Sequence, residues 1–316
     1  MSEHHRTSCA VQARFADNAV RPTNVVPVGV SAALRRIGRR LVPLWVTALL
    51  LLGPFRVDAG ERVLTLGGSV TEIVFALGEQ ERLIGRDTTS SFPEAALTLP
   101  DVGYVRALSP EGVLSIEPDL IIAIEGSGPP EAVEVLKSAQ VPWVTVPEGY
   151  DAQAVRRKIE VVAAALGVPD RGATLAAQID AALADAIADA SNERPPKVMF
   201  VLTMMGGRIM AAGAETSAEG IIRLAGGVNA MEGFEGYKQV SEEAVLAAAP
   251  DVILMMDRGG HAVSDADIVA HPALGQTPAA AKQAIVRLPG LLLLGFGPRT
   301  PQAVQRLSEA LRAVQG

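Results

Sequence analysis

Cysteine is nearly missing from this 316-residue chain: Cys9 stands alone, and none follows it. Disulfides, iron–sulfur clusters and thiol catalysis are therefore excluded together beyond that point. Histidine is almost as scarce, with only His261 and His271 after the first five residues. Aromatic residues make up 4% of the chain, and its tyrosines are Tyr104, Tyr150 and Tyr237. Two enzyme signatures are also lacking. No serine sits in a Gly-x-Ser-x-Gly elbow, and no glycine-rich turn ends in Gly-Lys-Ser or Gly-Lys-Thr. Neither Gly67-Gly68-Ser69 nor Gly295-Phe296-Gly297-Pro298-Arg299 completes a nucleotide-binding pattern, so both read as structural turns. With no nucleophile, histidine cluster or phosphate loop, the chain reads as a binding protein and not an enzyme.

Positive charge is short where it would matter. From residue 60 onward there are 20 basic and 32 acidic residues, a net charge of −12. Such a surface argues against nucleic acid and anionic membrane as partners, and an anionic ligand would need local arginines. Long apolar runs are few. The one at residues 41–52 follows Arg35, Arg36, Arg39 and Arg40, and it is too short to span a bilayer comfortably. It reads as the core of a signal peptide, with Val57-Asp58-Ala59 as the cleavage site and Gly60 as the mature start. The Phe-Leu-Lys of a twin-arginine signal is missing, which favours the general secretory route to the periplasm. Cys9 precedes the apolar run, so it is not a lipid-attachment site.

What the chain does have is a repeat. Ser109-Pro110-Glu111-Gly112-Val113-Leu114 and Pro118-Asp119-Leu120-Ile121-Ile122 return as Ser241-Glu242-Glu243-Ala244-Val245-Leu246 and Pro250-Asp251-Val252-Ile253-Leu254. Each copy predicts a capped helix, a proline stop and a buried strand. A Gly-Tyr pair, Gly103-Tyr104 or Gly236-Tyr237, stands just before each. Apolar strands alternate with helical stretches in both halves, which predicts an α/β fold of two Rossmann-like lobes with parallel sheets. Residues 151–166 and 170–191 are Ala-rich and free of internal proline, and the second is read as a stiff linking helix. The expected organisation is a leader over 1–59, a first lobe over 60–169, a linking helix over 170–194 and a second lobe over 195–316. A ligand is expected in the cleft between the lobes.

Tyr104 is the first candidate for chemistry. It lies in a loop outside a strand end, where α/β ligand sites form. A phenolate suits ferric iron, and tyrosine is an axial ligand in some haem proteins. Arg106, two residues on, is placed to hydrogen-bond that oxygen and favour its ionised form. The alternative is an ordinary half-buried loop tyrosine.

The run Pro100-Asp101-Val102-Gly103-Tyr104-Val105-Arg106 resembles the ligand loop of periplasmic haemin-binding proteins. So do Met210-Ala211-Ala212-Gly213, Ala225-Gly226-Gly227-Val228-Asn229, Phe234-Glu235-Gly236-Tyr237-Lys238 and Leu294-Gly295-Phe296-Gly297-Pro298-Arg299. The resemblance covers nearly all of residues 62–311. It implies two α/β lobes joined by one long helix, with ferric haem b as transported ligand and no catalytic cofactor. Tyr104 is then the axial iron ligand. The implied partners are an ABC permease dimer with its ATPase subunits, and an outer-membrane haem receptor upstream is a further candidate. A corrinoid or ferric siderophore is the alternative ligand.

Further pocket candidates follow. Tyr237 occupies the matching place in the second repeat and either faces the porphyrin or packs; Lys238 beside it is a propionate partner. Met205 stands where some relatives have a histidine, and covers the ring or binds iron. Arg208 offers a fork to a propionate. His261 is a weak ligand candidate, and His271 reads as a surface or helix-cap residue. Glu111 and Glu243, the repeated acids, read as permease-docking points, one per lobe, or as first-turn residues that suit the helix dipole.

Overall fold

The computed structural model describes residues 62–257 and 263–315. The leader read at 1–59 and His261 lie outside them.

The first lobe is built on β1 (Val63–Leu66), β2 (Leu83–Arg86), β3 (Leu120–Ile124) and β4 (Trp143–Val146), in the order β2-β1-β3-β4 with every pairing parallel. The inner strands β1 and β3 are buried at every position, which is why both read as unbroken apolar runs. Around them lie α1 (Gly68–Ala76), α2 (Pro110–Leu114) and α3 (Pro130–Ser138).

Two helices follow. Asp151 caps α4 (Ala152–Ala165), accepting the Ala154 N–H at 2.7 Å. Pro169 opens α5 (Pro169–Asp189), a 21-residue helix about 31 Å long. The two pack so closely that a Cβ on Gly172 would stand 2.3 Å from that of Ala163.

The second lobe repeats the parallel core and then departs from it. Its β5 (Lys197–Met205), β9 (Val252–Asp257) and β10 (Ile285–Pro289) are parallel, and β7 (Val228–Asn229) pairs the start of β5. However, β6 (Arg208–Ala212) and β8 (Tyr237–Val240) run antiparallel, making a mixed six-stranded sheet where only parallel strands were expected. The cause is Gly206-Gly207, with φ of 57° and 74°: a two-glycine turn that sends β5 straight back on itself. Helices α6 (Ser217–Leu224), α7 (Glu242–Ala248), α8 (Asp265–Ala270), α9 (Pro278–Ala281), α10 (Gly290–Leu294) and α11 (Thr300–Gln315) complete the lobe.

The sequence repeat is also a repeat of hydrogen bonds. Ser109 caps α2 and Ser241 caps α7, each through its side-chain oxygen. The residue before each proline, Glu117 or Ala249, is left-handed, with φ of 51° and 44°. Asp119 then clasps the Arg62 backbone before β1, and Asp251 clasps Lys197 at the start of β5, by the same carboxylate-to-N–H and N–H-to-carbonyl pair.

The lobes meet through two buried charge contacts on one turn. Arg299 forks onto Glu72 of α1 at 2.5 and 3.0 Å, with its guanidinium 3.6 Å over the Phe92 ring. Lys158 of α4, 0% exposed, lies 3.6 Å from the Glu148 carboxylate and 3.5 Å from the Gly295 carbonyl. Burial pushes the Glu72 carboxyl up and the Lys158 ammonium down, and each partner charge offsets this in part. At the same junction Leu291 fills the space where Gly68 would carry a Cβ. Tight packing with paired charges fixes one arrangement of the lobes, because sliding would leave a buried ion without its partner.

Candidate functional site

Tyr104 projects from a loop whose backbone is pinned at several points. In the neighbouring segment, Asp87, fully buried after β2, accepts the Gly67 N–H and Ser90 hydroxyl with one oxygen and the Thr89 N–H and hydroxyl with the other. The Thr88 N–H donates to the Gly103 carbonyl, and the Gly103 N–H to Asp101, which also pairs with Arg86. Val102, Val105 and Leu108 are buried around it, whereas Tyr104 is 50% exposed. Its hydroxyl has no hydrogen-bond partner among the described residues. A fixed backbone carrying a free phenol is pre-organised for a ligand, since little further ordering is needed on capture.

Arg106 is placed differently from expectation. Its guanidinium donates to the Glu125 carbonyl at 3.2 Å and lies across Gly126, where a Cβ would meet it at 2.0 Å. It borders the cleft but is not directed at the Tyr104 oxygen.

A tyrosine pair, Tyr237 and Tyr150, forms where the lobes join. Tyr237 bonds the Ser217 hydroxyl at 3.1 Å at the start of α6 and packs edge-on to Phe200. Burial raises its phenol, and the Ser217 bond pulls it back. From the first lobe it senses the Glu148 charge, and Tyr150 in turn feels Tyr237 and Arg106. Burial, then the Glu148 charge, pushes Tyr150 up to about 12. Tyr237 is thus half-buried and bonded, unlike Tyr104, and it begins a strand instead of a helix.

Met205 and Arg208 flank the β5–β6 turn, at the strand ends where a cleft wall belongs. Among the described residues, Met205 is the most exposed of the large apolar side chains, at 68%, and Arg208 makes no ion pair. Tyr237 and Arg208 sit against opposite ends of β6, roughly 13 Å apart along the strand. Lys238 is exposed, its ammonium 5.8 Å over the Phe234 ring. Between the lobes a 410 Å³ cavity opens, bounded by Ser91 and Phe92 on one side and Asp257, Pro289 and Arg299 on the other. A larger one, 650 Å³, lies at the far end of α5 beside Arg194, Lys282 and Arg312, and neither cavity is lined by any of the candidate residues.

Glu111 and Glu243 are exposed in the first turns of α2 and α7, and neither enters an ion pair among the described residues. Glu243 also bonds back to Ser241 and its own backbone, which lowers its carboxyl. His271 keeps its helix-cap reading, closing α8, but not its surface one: it is 6% exposed and bonded at both ring nitrogens. Sequence reasoning also missed Asp87, Glu148, Tyr150 and Lys158. Only Lys158 left a signal, as a lysine on the apolar stripe Val155-Ile159-Val162 of α4.

The chain belongs to the periplasmic binding protein family, which matches residues 63–291. This is a family of substrate-binding proteins, not enzymes. It accords with export to the periplasm and implies an ABC permease and ATPase as partners. Among solved structures, the chain is similar to the periplasmic haem-binding protein BhuT in complex with two haems. The two are 44% identical, with a TM-score of 0.77 over 81% of this chain and 99% of that one. The periplasmic haem-binding protein RhuT from Roseiflexus sp. RS-1 is 39% identical, with a TM-score of 0.78 and the same coverage. The chain is also similar to the vitamin B12-binding protein of Vibrio cholerae, 29% identical over 70% of this chain and 78% of that one.

Proposed function

We propose that this protein is a periplasmic haem carrier that captures ferric haem in the interlobe cleft and delivers it to an inner-membrane ABC importer. The observation that carries this reading is Tyr104: exposed, unbonded and mounted on a pinned loop. As phenolate it supplies the axial iron bond. Arg106, held on Glu125, adds positive charge at the same rim, while Met205 covers part of the ring and Arg208 and Lys238 take propionates. Tyr237, already bonded at α6, lines the cleft base. The likeness to haem-binding proteins at 44% and 39% identity supports haem over other chelates. Glu111 and Glu243 dock the two halves of the permease, and the charge pairs at the lobe junction keep them in register. An outer-membrane haem receptor would act upstream.

The test is a haemin titration of the mature protein and of Tyr104→Ala, followed by absorbance and resonance Raman. A ferric-phenolate signature present in the first and lost in the second is expected. A corrinoid reading keeps one specific support, the likeness to vitamin B12-binding proteins. Tight cobalamin binding with no haemin shift would establish it instead.

A further inference from the structure

We propose that His271 is a positioning residue that holds the β5–β6 turn, and with it Met205 and Arg208, in place for the ligand. The tie itself stands on hydrogen-bond geometry; its effect on the ligand rests on the haem-carrier reading.

The ring's protonation pattern follows from its neighbours. Nδ1 faces the backbone N–H groups of Ala273 and Leu274 at 3.2 and 3.3 Å, so it accepts and carries no proton. The neutral ring then has its proton on Nε2, which donates to the Gly207 carbonyl at 2.9 Å. One end of the imidazole is therefore locked to the lobe interior, where Ala273 and Leu274 are both fully buried. The other end holds the turn.

The turn needs such a hold. The β5–β6 ladder ends at Met205 opposite Arg208, and beyond it stand two glycines with nothing within 4 Å of where a Cβ would be. Glycine has the most backbone freedom to lose, and no side chain of the turn packs it down. A bond from a buried, oriented ring to Gly207 sets the turn's position relative to the core of the lobe. Met205 and Arg208, on either side, move with it. His271 is 64 residues from Gly207, so the link exists only in the folded lobe.

Two variants separate this role from simple structural support. His271→Asn keeps an oxygen for the Ala273 and Leu274 N–H groups but is too short to reach Gly207; His271→Ala loses both functions. In ligand-free His271→Asn, amide exchange at residues 205–208 is expected to quicken about fivefold, the value of one net hydrogen bond, with little change in Tm. Haemin dissociation is expected to quicken similarly while the ferric-phenolate signature of Tyr104 persists. In a Met205→Ala, Arg208→Ala background that effect on dissociation should vanish. Unchanged exchange in His271→Asn would overturn the tie. Faster exchange with unchanged haemin dissociation would overturn the positioning role. If the wild-type protein takes no haemin, the haem reading fails, and exchange alone decides the tie. Should His271→Asn not fold, nitrogen NMR of the wild type still judges it: a proton on Nδ1 in the neutral ring would refute the arrangement.

Discussion

The two lobes share a scaffold down to individual hydrogen bonds, yet their Gly-Tyr pairs have opposite fates. Gly103 and Gly236 both take positive φ, 99° and 75°, and each delivers a tyrosine just ahead of a serine-capped helix. In the first lobe the following residues turn at once into α2, so Tyr104 stays in a loop with its hydroxyl free. In the second, the residues after Gly236 form β8 against β6, and the tyrosine is drawn toward Ser217 and Phe200. The inserted antiparallel hairpin is what differs. A duplicated fold can thus keep its supporting contacts in both halves while leaving a free tyrosine hydroxyl in only one.

The sharpest way to break this comparison is to exchange the fates of the tyrosines. Tyr104→Ala is expected to weaken haemin binding by ~100-fold or more, since it removes an axial donor. Tyr237→Phe, which deletes only a hydroxyl already bonded to Ser217, should change it by no more than about fivefold. Comparable losses in isothermal titration would mean that the lobes share the iron.

Next in size is the junction that holds the halves together. Arg299→Ala leaves Glu72 buried without its fork and should cost about 3 kcal/mol of unfolding free energy, read from urea denaturation. A change within error would mean that the lobes do not depend on this pair.

Smaller, and aimed at the shared scaffold, are the aspartate clasps. Asp119→Ala and Asp251→Ala should each cost about 1 kcal/mol, and by similar amounts. A clear difference in their denaturation midpoints would show that the repeat is geometric but not energetic.

The smallest effect concerns the tyrosine at the lobe junction. Tyr150 has its phenol raised from 10.0 to about 12, by burial first and the Glu148 charge second. In the unfolded chain it titrates at its ordinary value, so the folded state holds the proton more tightly between these limits. Its contribution to stability is therefore complete below pH 10 and is lost as pH rises from 10 to about 12. Ultraviolet phenolate titration of the wild type against Tyr150→Phe should show the variant lacking a late-titrating group. A variant lacking an early one would refute the assignment.

Much of the scaffold was legible in the chain because its signals are local. Ser109 and Ser241 announce helix starts within three residues of the N–H groups they bond, and the apolar runs of β1 and β3 report burial on both faces. The linking helix, expected over 170–194, starts one residue earlier, with Pro169 in its first turn, and ends five residues sooner, at Asp189. The antiparallel hairpin has only Gly206-Gly207 between β-prone residues as its cue. A two-residue spacing suggests Tyr104 as the partner of Arg106. Its carbonyl partner on Glu125 is 19 residues away and carries no side-chain signature.

The amino-acid sequence by itself determined two α/β lobes, their repeated caps and prolines, the acidic surface and the short list of possible donors. Those properties depend on periodicity, propensity and composition, which neighbouring residues decide among themselves. Tertiary structure decided which tyrosine is free, where His271 points, and why a lysine and a glutamate can be buried at the lobe junction. Glu72 meets Arg299 across 227 residues and Lys158 meets the Gly295 carbonyl across 137. Burial and partnership of this kind belong to the packed chain, because a charge or a phenol is paired only by what folding brings beside it.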